Sequence, residues 1–247
     1  MADGMDDAEL ARAIIDARRS GAELATAPPP LTPERGYAVQ AAVAAALGGA
    51  AGWKVGATSA GAQGFLRVPE PIRGRVLAGG VVRSGDPLAL PGDRAAEAEP
   101  EVLFLMGRDP GDGDPAAAVA AVHLGIEVNR PSRADALDLG AGFIVADNAA
   151  HAALVVGPAI PLSALDRPAE VAVTLLRNGE AVQRGDTSAV LGHPLESLRW
   201  LARAVPLAAG DWIATGAITR SCPFAVGDEV LADFGALREV RARRVIG

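Results

Sequence analysis

Three glutamates stand where a folding chain has little reason to put them. Glu99 and Glu101 lead directly into Val102–Met106, an unbroken apolar run, and Glu127 sits inside another short apolar run, HLGIEVN. On a strand, residues i and i+2 point to one face, which sets Glu99 and Glu101 side by side with Cβ atoms roughly 6–7 Å apart. At an effective dielectric near 20 such a pair repels by roughly 2–3 kcal/mol, and desolvation adds to that. A solvated strand lead-in is the plain alternative, and it suits Glu97 better than Glu101. A single divalent cation shared by three carboxylates resolves all of these anomalies. All-oxygen ligation favours a hard ion, Mg2+ or Mn2+.

Three carboxylates and a dication leave one negative charge, and the chain has a candidate to cancel it. Of its 23 lysines and arginines only Lys54 is a lysine, and it lies in the glycine-flanked apolar segment GWKVG. Its survival in an arginine-rich chain points to a site that needs a compact ammonium rather than a planar fork.

The elements that must carry these groups fall into two textures. Residues 7–20 have helical apolar spacing. A second helix follows Thr32 as N-cap with Pro33 at its first position, and Gly48–Gly49 stop it. From residue 51 onward short apolar runs alternate with turn residues, among them VLAGGVVRSG, GFIVADN, VAVTLLRNGE and DEVLADFG. Arg177-Asn178-Gly179-Glu180 reads as a hairpin turn. A helix is expected over 193–204 and another over 114–122. Strands and helices do not alternate regularly, so a β-rich domain with few helices fits better than a doubly wound fold. The expected organisation is a helical segment over 1–50 and a β-rich catalytic domain over 51–247.

Composition bounds the function. Half of the 247 residues are apolar, enough for a sizeable core, and the net charge of −7, with no basic run in the sequence, disfavours a nucleic-acid role. No apolar run approaches the roughly 20 residues that span a bilayer. The acidic start MADGMDDAEL has no apolar signal segment, and Cys222 is the only cysteine. A cytoplasmic protein without membrane or nucleic-acid partners is expected.

Nine segments in order resemble the fumarylacetoacetate hydrolase superfamily, and within it the 2-keto-4-pentenoate hydratase and 4-oxalocrotonate decarboxylase group. They are GYAVQ, GWKVGATS, EPIRGRVL, EPEVLFLMGRD, GIEV, VADNAAHAALVVG, LGHPLESLRWLA, GDWIATGA and VGDEVLADFGALREVRAR. The resemblance implies an α+β fold, a mixed β-roll with an N-terminal helical segment, and a homo-oligomer. It puts the metal on Glu99, Glu101 and Glu127 and a catalytic lysine on Lys54. The literal EAE string would tempt an assignment to Glu97. The family pair directly precedes the apolar run, so it falls on Glu99 and Glu101.

The resemblance further implies substrate contacts from Asp147, Asn148, Thr215 and Gly216. Glu70 is the carboxylate nearest the position of a proposed family base. Two departures stand out: no Asp-Ser-Arg follows Glu127, and Ile72-Arg73 replace an acidic residue after Pro71. His151 is a further base candidate, or a satisfied structural histidine. The implied chemistry is that of a lyase on a small anionic 2-oxo acid, which chelates the ion and passes through a stabilised enolate. Hydration and decarboxylation lead. C–C hydrolysis of acylpyruvate type and a non-catalytic metal-binding partner subunit are the alternatives.

Overall fold

A computed structural model describes residues 5–247. Its thirteen strands are β1 (Ala50–Gly56), β2 (Ile72–Leu77), β3 (Val81–Arg83), β4 (Pro87–Leu90), β5 (Ala96–Met106), β6 (Val119–Asn129), β7 (His151–Ile160), β8 (Ala172–Arg177), β9 (Glu180–Asp186), β10 (Trp212–Ala214), β11 (Cys222–Phe224), β12 (Glu229–Asp233) and β13 (Glu239–Ile246). The helices are α1 (Asp7–Ser20), α2 (Pro33–Ala46), α3 (Ala60–Leu66), α4 (Ala141–Ala146) and α5 (Pro194–Ala204).

The strands form two mixed sheets. One runs β2-β1-β10-β5-β6-β7-β3 with β11 added alongside β5, and the other runs β4-β13-β12-β8-β9. Their facing surfaces enclose the main core, to which β5 gives Val102 and Phe104, β6 gives Leu124 and Ile126, and β12–β13 give Val230 and Val240. The sheets approach closely at Gly157, where a Cβ would lie 2.4 Å from Val240 Cγ2. The α+β expectation of a mixed β-roll is met.

Strand alternation explains how carboxylates enter an apolar run. On β5, Ala98, Val102 and Phe104 face the core between the sheets. Glu97, Glu99, Glu101 and Leu103 therefore point to the opposite face. On β6, Leu124, Ile126 and Val128 face the core, and Gly125, Glu127 and Asn129 point the other way. The floor of that second face is a small cluster of Val76, Leu103, Leu154 and Ala214.

Helices α1, α2 and α4 cover one side of this second face around Leu10, Ile14, Val43 and Phe143. Helix α1 begins at a capping box, with Asp6 accepting from Glu9 N at 2.8 Å and Glu9 accepting from Asp6 N at 2.9 Å. Helix α2 starts at Thr32 and Pro33 as the sequence predicts. His193 caps α5 by accepting from Leu195 N at 3.0 Å.

Two expectations fail. GFIVADN forms the helix α4 rather than a strand, because an apolar run buried on all sides carries no period that separates the two. Residues 114–122 give one 3-10 turn at Pro115–Ala118 and then enter β6. The hairpin at 177–180 is present, with Arg177 opposite Glu180 and both Asn178 and Gly179 at positive φ. No helix among the described residues is long and apolar enough to cross a membrane.

Candidate metal centre

The β5–β6 ladder puts Glu99 directly opposite Glu127, and Glu101 opposite Gly125. One carboxylate oxygen from each of Glu99, Glu101 and Glu127 lies within 4.8 Å of the others. Glu101 and Glu127 are buried, and Glu99 is partly open. Three like charges so close repel strongly, and each has a distinct set of compensating contacts.

Glu127 is held ionised. Lys54 Nζ lies 3.0 Å from its Oε2, and His151 Nδ1 lies 2.8 Å from its Oε1. Burial alone would raise its pKa, but Lys54 and His151 outweigh that and bring it down to about 2. Glu101 Oε2 accepts from Gly216 N at 2.9 Å, while its Oε1 is buried with no hydrogen-bond partner among the described residues. Burial and the Glu127 charge push Glu101 well above the usual carboxylate range. The same two causes raise Glu99 to about 7, against the pull of Lys54. Asn129, two residues along β6, donates to Glu99 Oε2 at 2.8 Å. Burial would lower the Lys54 pKa, but Glu127, Glu99 and Glu101 together raise it and keep the ammonium charged.

This donor set fits a hard divalent cation. Buried unpaired oxygens are costly and rare, and Glu101 Oε1 belongs to a cluster of carboxylate oxygens that has more negative charge than Lys54 can balance. An ion among Glu99, Glu101 and Glu127 would satisfy both the orphaned oxygen and the charge.

Backbone choices make the arrangement possible. Lys54 faces Gly74 across β1–β2, where a Cβ would lie 2.7 Å from Asn148 O and 3.0 Å from Lys54 Cγ. Gly216 adopts φ +120°, and a Cβ there would meet Thr58 at 2.5 Å. Its N–H is thereby free to reach Glu101.

Glu99, the partly open member of the cluster, lines a cavity of about 710 Å3 together with Lys54 and Asn129, while Glu101 and Glu127 lie behind the lining. Apolar walls come from Leu66, Ile72, Leu137 and Ile144. Glu97, which the sequence reading sets aside as a ligand, also lines it.

The other expected site residues take different places. Asp147 and Asn148 are fully buried and do not line the cavity. Asp147 Oδ1 accepts from Arg18 Nε at 2.8 Å and Oδ2 from Ser132 N at 2.6 Å. Asn148 bonds the backbone of Arg75 in both directions, at 2.7 and 2.9 Å. These bonds hold a turn in which Asn148, Ala149 and Ala150 all have positive φ, a conformation that costs non-glycine residues roughly 1–3 kcal/mol each. The turn sets Ala149 and Ala150 in the cavity wall and delivers His151 to Glu127.

Thr215 is buried and donates from Oγ1 to Val102 O at 2.9 Å, so it braces β5 instead of reaching into the cavity. Glu70 is exposed, accepts from Trp200 Nε1 at 2.9 Å and lies off the cavity lining. His151 is fully buried, also off the lining, and its Nε2 has no partner among the described residues. Sequence reasoning missed Asn129, although its i+2 spacing from Glu127 puts it on the same strand face.

Known proteins share this architecture. The chain is 33% identical over 202 residues to 2-keto-4-pentenoate hydratase of Burkholderia vietnamiensis, covering 77% of this chain and 76% of that one. It is 34% identical over 206 residues to 4-oxalocrotonate decarboxylase of Pseudomonas putida, covering 78% and 77%. The solved 4-oxalocrotonate decarboxylase from Pseudomonas putida G7, complexed with magnesium and adipate, superposes with a TM-score of 0.83 at 26% identity over 97% of both chains. Residues 76–243 match the family described as fumarylacetoacetate (FAA) hydrolase C-terminal. With those residues, both carboxylate strands and these relatives in common, the chain belongs to the fumarylacetoacetate hydrolase C-terminal family, in its hydratase and decarboxylase group.

Proposed function

We propose that the protein is a divalent-metal-dependent lyase of small 2-oxo acids, acting as a 2-keto-4-pentenoate-type hydratase or a 4-oxalocrotonate-type decarboxylase. The observation that carries this reading is the cluster of Glu99, Glu101 and Glu127 around a buried, unpaired Glu101 oxygen, opening into the cavity that Lys54 lines. Mg2+ or Mn2+ suits an all-carboxylate site. When bound there, such an ion supplies Lewis-acid stabilisation of the enolate of a 2-oxo acid.

The chain's own residues would do the rest. Lys54 keeps a fixed ammonium at the substrate's charged end, where it balances the carboxylate and can pass a proton at the enol oxygen. His151 and Lys54 orient the two oxygens of Glu127, and Asn129 orients Glu99. The apolar walls exclude bulk water and strengthen these charges. For hydration, a 2-hydroxydienoate gives up its C2 hydroxyl proton and takes one at C5, becoming the isomeric enone. Water then adds at C4 with its proton going to C3, so one water is gained overall. Among cavity-lining residues the groups able to carry those protons are Lys54, Glu97, Glu99 and Asp186.

A homo-oligomer is the assembly we propose, and the strongly exposed Phe65 and Leu137 are candidates for its contacts. The deciding experiment is turnover of 2-hydroxypenta-2,4-dienoate with Mg2+ or Mn2+, followed by loss of its ultraviolet absorbance. CO2 release from 4-oxalocrotonate is measured in parallel. Activity with either substrate that EDTA abolishes supports the reading; no metal-dependent turnover of either sinks it.

A further inference from the structure

A second cavity, of about 360 Å3, shares no lining residue with the one beside the metal centre. The two part where β6 ends and β7 begins: Asn129 and Ala150 line the first, Arg130 and Ala152 the second. Helix α1 brings Arg18 and Arg19 to the second cavity from its last turn. Apolar walls come from Leu47, Leu77 and Leu90.

Arg130 is the anomaly here. It is only 6% exposed, yet it forms no ion pair among the described residues. Its Nη1 donates to the carbonyl of Pro91, another lining residue, and its Nε and Nη2 have no partner among the described residues. Arg244 Nε is orphaned and sealed off, whereas neither free nitrogen of Arg130 is sealed off. The open space beside Arg130 is this cavity. Buried charges are ordinarily paired, so a guanidinium left this way is costly.

The surroundings add positive charge. Arg94 and Arg244 also lack ion pairs and donate only to carbonyls, Arg94 to Pro131 O at 3.0 Å and Arg244 to Gly92 O at 3.2 Å and Phe224 O at 3.4 Å. Burial, with Arg244, Arg18 and Arg94 close by, lowers the Arg130 pKa to about 10, against the pull of Asp147, and leaves it charged at neutral pH. Asp147 itself is taken by Arg18 and Ser132 N. Arg18 is spent on Asp147 and on His151 O. Asp93 is exposed. Arg130 is thus the free cation of a cluster short of anions.

We infer that this cavity is a second ligand site, which takes a small monocarboxylic acid with a compact apolar body. The carboxylate sits on the fork of Arg130, which offers two parallel donors, and the apolar body lies against the leucines. An inorganic anion would meet the charge and leave those walls unmatched. The inference stands apart from the lyase reading, because no residue of the metal centre lines this cavity. Arg130 N donates to Ala150 O at 2.8 Å, in the turn that delivers His151 to Glu127, so the site adjoins the support of the metal centre.

The test is calorimetric titration of the Mg2+-loaded protein with benzoate, with its neutral counterpart benzamide, and with inorganic phosphate. Benzoate is expected to bind about tenfold or more tightly than either of the others. Benzoate binding should survive in E101Q, where the metal centre is disabled, and fall about tenfold or more in R130Q, with thermal melts reporting whether the variant is folded. R19E changes an exposed lining residue and sets a carboxylate at the same cavity, so it should weaken benzoate several-fold even if R130Q does not fold. No measurable benzoate binding, equal binding of benzamide or phosphate, loss of benzoate in E101Q, or undiminished binding in folded R130Q or in R19E would each overturn the inference. Absence of turnover in the lyase assays would leave these binding results unchanged.

Discussion

Glu101→Gln separates a metal ligand from a structural carboxylate, because the two roles predict opposite signs. In the metal-free protein Glu101 is 1% exposed, one oxygen accepts from Gly216 N at 2.9 Å and the other has no partner. With ligand oxygens within 4.8 Å, an ionised Glu101 repels each neighbouring carboxylate by roughly 3 kcal/mol at an effective dielectric near 20. Lys54 and protonation relieve much of that, leaving about 1–2 kcal/mol for the substitution to recover. Glutamine keeps the acceptor for Gly216 and turns the orphaned oxygen into a donor facing carboxylates. In EDTA the variant should melt a few degrees above the wild type, since about 1 kcal/mol moves Tm by roughly 2–4 °C at this size. Metal reverses the order. At about one hundred times its Kd an ion stabilises the wild type by about 2.7 kcal/mol, or roughly 5–10 °C, and the variant should gain almost none of it. The assay is a thermal melt of both proteins in EDTA and in MgCl2 or MnCl2, with titration calorimetry for Kd. A variant that melts more than about 5 °C below the wild type in EDTA, or keeps the full metal-induced rise, would refute the assignment.

Proton linkage gives a second test. Glu99 is raised from 4.5 to about 7, so its proton stabilises the metal-free fold at low pH, and that contribution is lost as pH climbs through this window. Glu127, lowered to about 2, contributes the opposite slope only between that value and 4.5. Melts in EDTA should therefore fall from pH 5 to 7, and saturating Mg2+ should flatten or invert the trend; a metal-free Tm that rises across this range would count against the cluster. His151→Ala removes a donor from Glu127 and should weaken Mn2+ binding by about 10–100-fold in calorimetry. Lys54→Arg keeps the charge but must fit a larger planar head beside Gly74 and Asn148, and should lower kcat by about a hundredfold or more in steady-state kinetics. Arg18→Ala strands the buried Asp147 carboxylate and should cost roughly 3–5 kcal/mol, read as a Tm lower by roughly 10 °C.

Much of the site was legible because its residues violate local rules. Glutamates feeding apolar runs, and one lysine among many arginines, are anomalies in any fold, and the period-2 alternation of β5 and β6 supplies the geometry that relieves them. Asp147 and Asn148 were visible as a motif, but their partners Arg18 and Arg75 are far away in the chain, so a short sequence could not distinguish cavity contact from bracing. Glu70 lies off the cavity lining for the same reason: its hydrogen-bond partner, Trp200, is far along the chain. Helix α4 was misread because complete burial erases periodicity.

The position of β1 has a consequence for how the protein acquires its fold. Lys54 reaches the cluster because β1 pairs in parallel with β10, Lys54 opposite Ala214, near the far end of the chain. The β5–β6 hairpin closes over a much shorter loop, and it brings Glu99 and Glu127 face to face. Pairings distant in sequence form late, whereas like charges directly opposite one another disfavour a hairpin from the outset. Without β1 in place those carboxylates lack their ammonium, so the β5–β6 pairing carries a charge cost that the β1–β10 pairing relieves by delivering Lys54 to Glu127.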